Sequence, residues 1–180
     1  LETYAQYYVG VSNLRLANPG EADRAFDAVL AKKPEGFLSL AAMLGKAEAA
    51  ESRGDHAGAA AIYEQLTARK TVAPEEVLYR LGRASLAAGN RQRATEAFLR
   101  VHYEFPLSDA ADKAGAALGS LQDLIERKDY KLDLGRALIL YGAKRYSEAR
   151  SALQDIQKQV GGDDREVVDL RIAECDFFLK

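Results

Sequence analysis

The chain has one cysteine, Cys175, and no tryptophan. A single thiol can close neither an internal disulfide nor a cysteine zinc cluster. Only four prolines interrupt 180 residues, and Ala, Leu, Glu and Arg are abundant. That composition favours helix over sheet. No apolar run approaches the roughly 18 residues of a membrane span. The opening "LETYAQYYVG" has neither the basic start nor the apolar core of a signal peptide. It also lacks an initiator methionine, so we expect an excised or processed piece of a longer chain. A net charge of -2 gives no electrostatic reason to expect nucleic acid or an anionic membrane as partner. With 48% hydrophobic and 29% charged residues, the sequence reads as one soluble folded domain or repeat array over 1–180.

Chemistry-bearing patterns are equally sparse. The two histidines, His56 in "GDHAG" and His102, have no HExxH spacing and no neighbouring cysteine. There is no GxSxG elbow and no glycine-rich phosphate loop; "GDD" at 162–164 reads as a turn leading into a helix. Cys175 lies among Ile172, Phe178 and Leu179 and reads as core. No catalytic, cofactor-binding or metal-binding residue is assigned.

What the sequence does hold is internal repetition. From Leu78 it reads Leu81-Gly82, Gly89, Ala94, Phe98, Pro106. The second half recurs as Ala22, Phe26 and Pro34, as Gly54, Ala59 and Tyr63, and as Tyr146, Ala149 and Leu153, with Gly10 at the earlier glycine position. Two antiparallel helices can approach closely only where side chains are small. Gly82 and Ala94 are expected to make that approach, and Phe98 to fill the wider space toward the next repeat. Gly89 would end the first helix in the left-handed conformation and Pro106 would stop the second.

Ala22 to Ala59 is 37 residues and Ala59 to Ala94 is 35, close to a period of about 34. Ala94 to Ala149 is 55, which leaves room for one extra, non-repeat helix near 108–127, capped by Ser108. The fold class is therefore all-α: antiparallel helix hairpins stacked into a right-handed superhelix. Ten helices are expected, at 2–16, 21–32, 37–53, 56–69, 75–88, 91–104, 109–126, 132–143, 146–159 and 164–179. The last ends on Phe177, Phe178 and Leu179, which fits an array that continues beyond residue 180.

The pattern resembles the tetratricopeptide superfamily across nearly all 180 residues. Leu78 and Ser85 depart from it, standing where Trp and Tyr are usual. "FLRVHYEFPLSDAADKAG" narrows the resemblance to bacterial cell-envelope repeat proteins. These include outer-membrane assembly lipoproteins and the superhelical, non-catalytic part of soluble lytic transglycosylases. "LGRALILYGAKRYSEARSAL" is most similar to the latter. That resemblance implies a periplasmic helical arm positioning peptidoglycan or a partner protein, with catalysis in a separate domain. The alternative is an envelope adaptor with no enzyme domain. The family's Glu-Ser and Gly-Leu-Met-Gln segments are not reproduced: the sole "ES", Glu51-Ser52, runs into "RGDHAGAA".

The superfamily resemblance also implies a concave groove lined by the first helix of each pair. Carried onto this sequence, its positions are Tyr7 and Val11, Leu44 and Glu48, Tyr79 and Arg83, and Leu134 and Leu138. Tyr7, Glu48, Tyr79 and Arg83 are the candidate binding residues, since Tyr and Arg favour interface hot spots. The expected ligand is a protein or a peptidoglycan-related molecule. Between residues 80 and 100 five arginines meet one glutamate, which reads either as a basic patch for an anionic partner or as a solvated helix face.

Overall fold

The computed structural model describes residues 1–125 and 130–180. Among these residues there are ten α-helices, one 3₁₀ helix and no strand. They are α1 Glu2–Arg15, α2 Pro19–Ala31, α3 Phe37–Ser52, α4 His56–Thr67, α5 Pro74–Ala87, α6 Arg91–Glu104, α7 Asp109–Leu118, α8 Tyr130–Gly142, α9 Tyr146–Ile156 and α10 Gly162–Phe178. The chain divides into two compact units, Leu1–Phe98 and Leu99–Lys180, with the division inside α6. In the first unit α1 packs on α2, α2 on α3, α3 on α4 and α4 on α5; in the second, α8, α9 and α10 pack in turn.

One turn chemistry ends the first helix of four hairpins. Ala17, Gly54, Gly89 and Lys144 all have positive φ, at 56°, 76°, 81° and 64°. In each, the next residue's N–H reaches back five positions: Asn18 to Asn13 O, Asp55 to Ala50 O, Asn90 to Ser85 O and Arg145 to Leu140 O, at 2.8 to 3.0 Å. This satisfies carbonyls that the helix end leaves open. Three of the four following helices then start on a suitable residue, α9 having no side-chain cap at Arg145. Asp55 accepts from Gly58 N–H at 2.9 Å and Asn90 from Arg93 N–H at 3.1 Å, while Pro19 opens α2. Five residues after each left-handed position stands a fully buried alanine: Ala22, Ala59, Ala94 and Ala149.

The first unit is held by aromatic side chains lying where glycine leaves room. A Cβ on Gly10 or on Gly45 would lie 2.6 or 2.4 Å from the ring of Phe26, so that ring is enclosed by α1 and α3 together. A Cβ on Gly82 would meet Phe98 at 2.4 Å. The ring of Phe98 thus lies against Gly82 within its own hairpin. Phe26, Tyr63 and Phe98 are almost wholly buried, each contributing roughly 2–3 kcal/mol by apolar burial. The second unit has its own core, with Leu153, Ile156 and Val168 between α8, α9 and α10.

The extra helix is shorter than the 109–126 expected. Ser108 caps α7, accepting from Ala111 N–H at 3.1 Å, but the α-helix stops at Leu118. A 3₁₀ segment, Gly119–Leu124, follows, and Leu121 leaves helical geometry at φ -121° and ψ 16°. Gly119 and Ser120, both poor helix formers, stand where the helix gives way. Residues 126 and 127, the end of the expected span, lie outside the described residues.

Candidate functional site: an apolar groove between the first helices

The first unit carries a groove of about 430 Å³ lined mostly by apolar side chains. α1 contributes Tyr7, Val11, Leu14 and Arg15, and α3 contributes Phe37, Leu40, Leu44 and Glu48; Val77 of α5 and Val72 before it complete the wall. These positions recur every three or four residues, so one face of each helix turns to the groove. Phe26 and Leu66, from second helices, lie at its base. The rim is exposed, Phe37 at 68% and Val72 at 92%.

Of the four candidate residues, the structure brings Tyr7 and Glu48 together in this groove. Tyr7 packs on Phe26 with ring centroids 6.0 Å apart and meets the edge of Tyr8 at 5.4 Å. Burial raises its phenol above the ordinary value, with Tyr8 and the Glu48 carboxylate adding to it. Glu48 stands in the wall with its carboxylate already engaged by Arg80 of α5, which also bonds Glu76 at 2.9 Å. Glu48 therefore links two first helices and offers little charge to a ligand.

Tyr79 and Arg83 do not line the groove. Tyr79 is half-buried against Phe98, centroids 5.8 Å apart. Arg83 is exposed beside a separate hollow shared with Glu51, Ser52 and His56. The remaining mapped pair belongs to the second unit's core: Leu134 is buried, and Leu138 packs on the same cluster. Three of the five arginines in the run between residues 80 and 100 are paired with carboxylates. Arg80 holds Glu48 and Glu76, Arg93 holds Glu64 at 2.6 Å, and Arg100 holds Glu104 at 3.0 Å. Those carboxylates lie outside the window of residues 80 to 100, so a local charge count misses them.

Sequence reasoning passed over Leu14, Arg15, Phe37, Leu40 and Val72. Extending the Tyr7–Val11 face by one helical turn would have found Leu14 and Arg15, and extending the Leu44–Glu48 face by one and two turns would have found Leu40 and Phe37; Val72 lies on neither face. It also passed over Gly45, although Leu44-Gly45 repeats the Leu81-Gly82 dipeptide.

The second unit has a smaller, polar hollow of about 260 Å³. Tyr103 donates to Asp133 there at 2.8 Å, and burial lowers the pKa of Arg136 beside it. Asp133 and Asp155 line the same hollow, so its charge is mixed. Among the described residues no group of three His, Cys, Asp or Glu is placed to hold a metal ion. No helix among them is long and apolar enough to cross a membrane.

A sequence model of the tetratricopeptide repeat matches twice, over residues 10–74 and 44–109, and together the two matches cover more than half of the chain. Comparison with curated proteins finds no match. Four hairpins with one turn chemistry, aromatic rings seated on helix glycines, and a groove walled by first helices agree with that family match. The chain belongs to the tetratricopeptide repeat family.

Proposed function

We propose that this chain is a protein-binding scaffold whose first unit receives a polypeptide segment in the groove between α1 and α3. The observation that carries this reading is the apolar groove with its exposed rim of Phe37 and Val72. Apolar area left open beside a shaped concavity favours a partner, because covering it removes it from water. Binding of a peptide selected from a random display library tests it. Phe37→Ser with Val72→Ser should weaken that binding at least tenfold while far-ultraviolet circular dichroism stays unchanged. Unchanged affinity would remove the groove from the function. The same assay on Tyr79→Ala with Arg83→Ala decides whether the contact surface continues onto α5.

The finer proposal is that the chain is the helical arm of a periplasmic lytic transglycosylase, orienting peptidoglycan strands or partner proteins. Its support is the resemblance in sequence pattern together with the irregular interval, where α7 and the 3₁₀ segment separate one hairpin from the next. The coding sequence downstream of residue 180 tests it. A Glu-Ser and Gly-Leu-Met-Gln segment there would support the arm; further repeats alone would favour an envelope adaptor.

A further inference from the structure

The groove's charge is not balanced. Its lining includes two charged side chains, Arg15 and Glu48, and Glu48 is committed to Arg80. Arg15 closes the last turn of α1, is exposed, and makes no hydrogen bond or ion pair among the described residues. It also does not stand alone on its helix. At spacings of four, three and four residues, Tyr4, Tyr8, Val11 and Arg15 follow one another along α1. Tyr4 is 55% and Tyr8 63% exposed, and Tyr8 meets the edge of Tyr7 inside the groove. An open aromatic strip therefore leads along α1 to a guanidinium without a counter-charge.

We infer that the partner is an apolar polypeptide segment bearing a Glu or Asp side chain, with its apolar residues in the groove and its carboxylate on Arg15. A carboxylate fits the planar fork of a guanidinium, and the apolar wall beside it strengthens the pair by excluding water. A basic segment would place its cation beside Arg15, with Glu48 already taken. Tyr4 and Tyr8 extend the contact outward, as residue types that give large area at low entropy cost. The inference rests on the proposed groove function and narrows it from any peptide to an acidic, apolar one.

The test is a display library of random 16-residue peptides, panned on the 180-residue chain and in parallel on Arg15→Glu. Wild type should enrich apolar sequences carrying Glu or Asp, and Arg15→Glu should enrich Lys or Arg at the same place. The best acidic peptide should bind Arg15→Glu at least tenfold more weakly in fluorescence anisotropy. Exchange of its acidic residue for Gln should cost most of that factor on wild type and little on the variant. Enriched peptides that carry no acidic residue, yet lose binding in Phe37→Ser with Val72→Ser, would overturn the carboxylate assignment and leave the groove standing. Peptides indifferent to that double substitution, or no enrichment at all, would overturn both.

Discussion

Gly45 of α3 faces the ring of Phe26 of α2 so closely that a Cβ on Gly45 would lie 2.4 Å from Phe26 Cζ. The same ring takes the space over Gly10 of α1. One aromatic side chain thus sets how near two first helices come to the second helix between them, and the groove lies on the side those first helices share.

Gly45→Ala should therefore destabilise the first unit by about 1–3 kcal/mol, because the added methyl forces the buried ring of Phe26 off its packed position between α1 and α3. Gly135, in the interior of α8, is the control: nothing among the described residues lies within 4 Å of its Cβ position. Gly135→Ala should stabilise by about 0.5–1 kcal/mol through helix propensity. Urea denaturation followed by circular dichroism checks both, and equal effects at the two sites would refute the account.

The turn positions Ala17 and Lys144 hold side chains in the left-handed region where Gly54 and Gly89 stand in the other hairpins. Lys144→Gly and Ala17→Gly should each raise stability by roughly 1 kcal/mol, since a Cβ costs about that much at positive φ. Gly89→Ala should lose a similar amount. Thermal melts of the three variants would expose an error if all shifted the same way.

Ser85 is 1% exposed, and its Oγ has no partner among the described residues. Replacing it with alanine removes a buried hydroxyl that burial has stripped of water. Ser85→Ala should be neutral or stabilising by up to about 1 kcal/mol. A loss of stability of that size in denaturant titration would mean the hydroxyl is satisfied in solution.

Tyr63 gives a pH dependence. Its ring is wholly buried and its hydroxyl donates to Glu51 at 2.8 Å. Burial holds the phenol well above its ordinary value. An unfolded tyrosine ionises near pH 10, whereas the folded Tyr63 keeps its proton. Its contribution is therefore complete below about pH 10 and is lost as pH rises from there toward the folded value. Between pH 9 and pH 11 the wild type should lose more stability than Tyr63→Phe. Equal losses, measured by denaturant titration at both pH values, would assign the alkaline sensitivity elsewhere.

Much of the fold was legible because its signals are local or strictly periodic. Ser108 was readable as a cap, and Gly54 and Gly89 as helix ends, from residue type alone. Lys144 and Ala17 occupy the same left-handed turn without the glycine that would announce it. The candidate residues named from the sequence fall in different places. Tyr7, Val11, Leu44 and Glu48 line one hollow, whereas Tyr79 packs on Phe98 and Leu134 lies in the second core. Arg80 and Glu48 are 32 positions apart, and no local pattern shows that they meet.

The sequence by itself determined the ten helices and their hairpin register, because helix periodicity, caps and turns act over a few neighbouring positions. Tertiary structure alone decided which Leu-Gly pairs are pressed against an aromatic ring. Gly45 sits beneath a ring brought by another helix, whereas none of the described residues lies within 4 Å of a Cβ on Gly135. It also decided which charge in the groove stays unmatched, since Arg80 arrives from α5 to take Glu48 and none of the described residues pairs with Arg15.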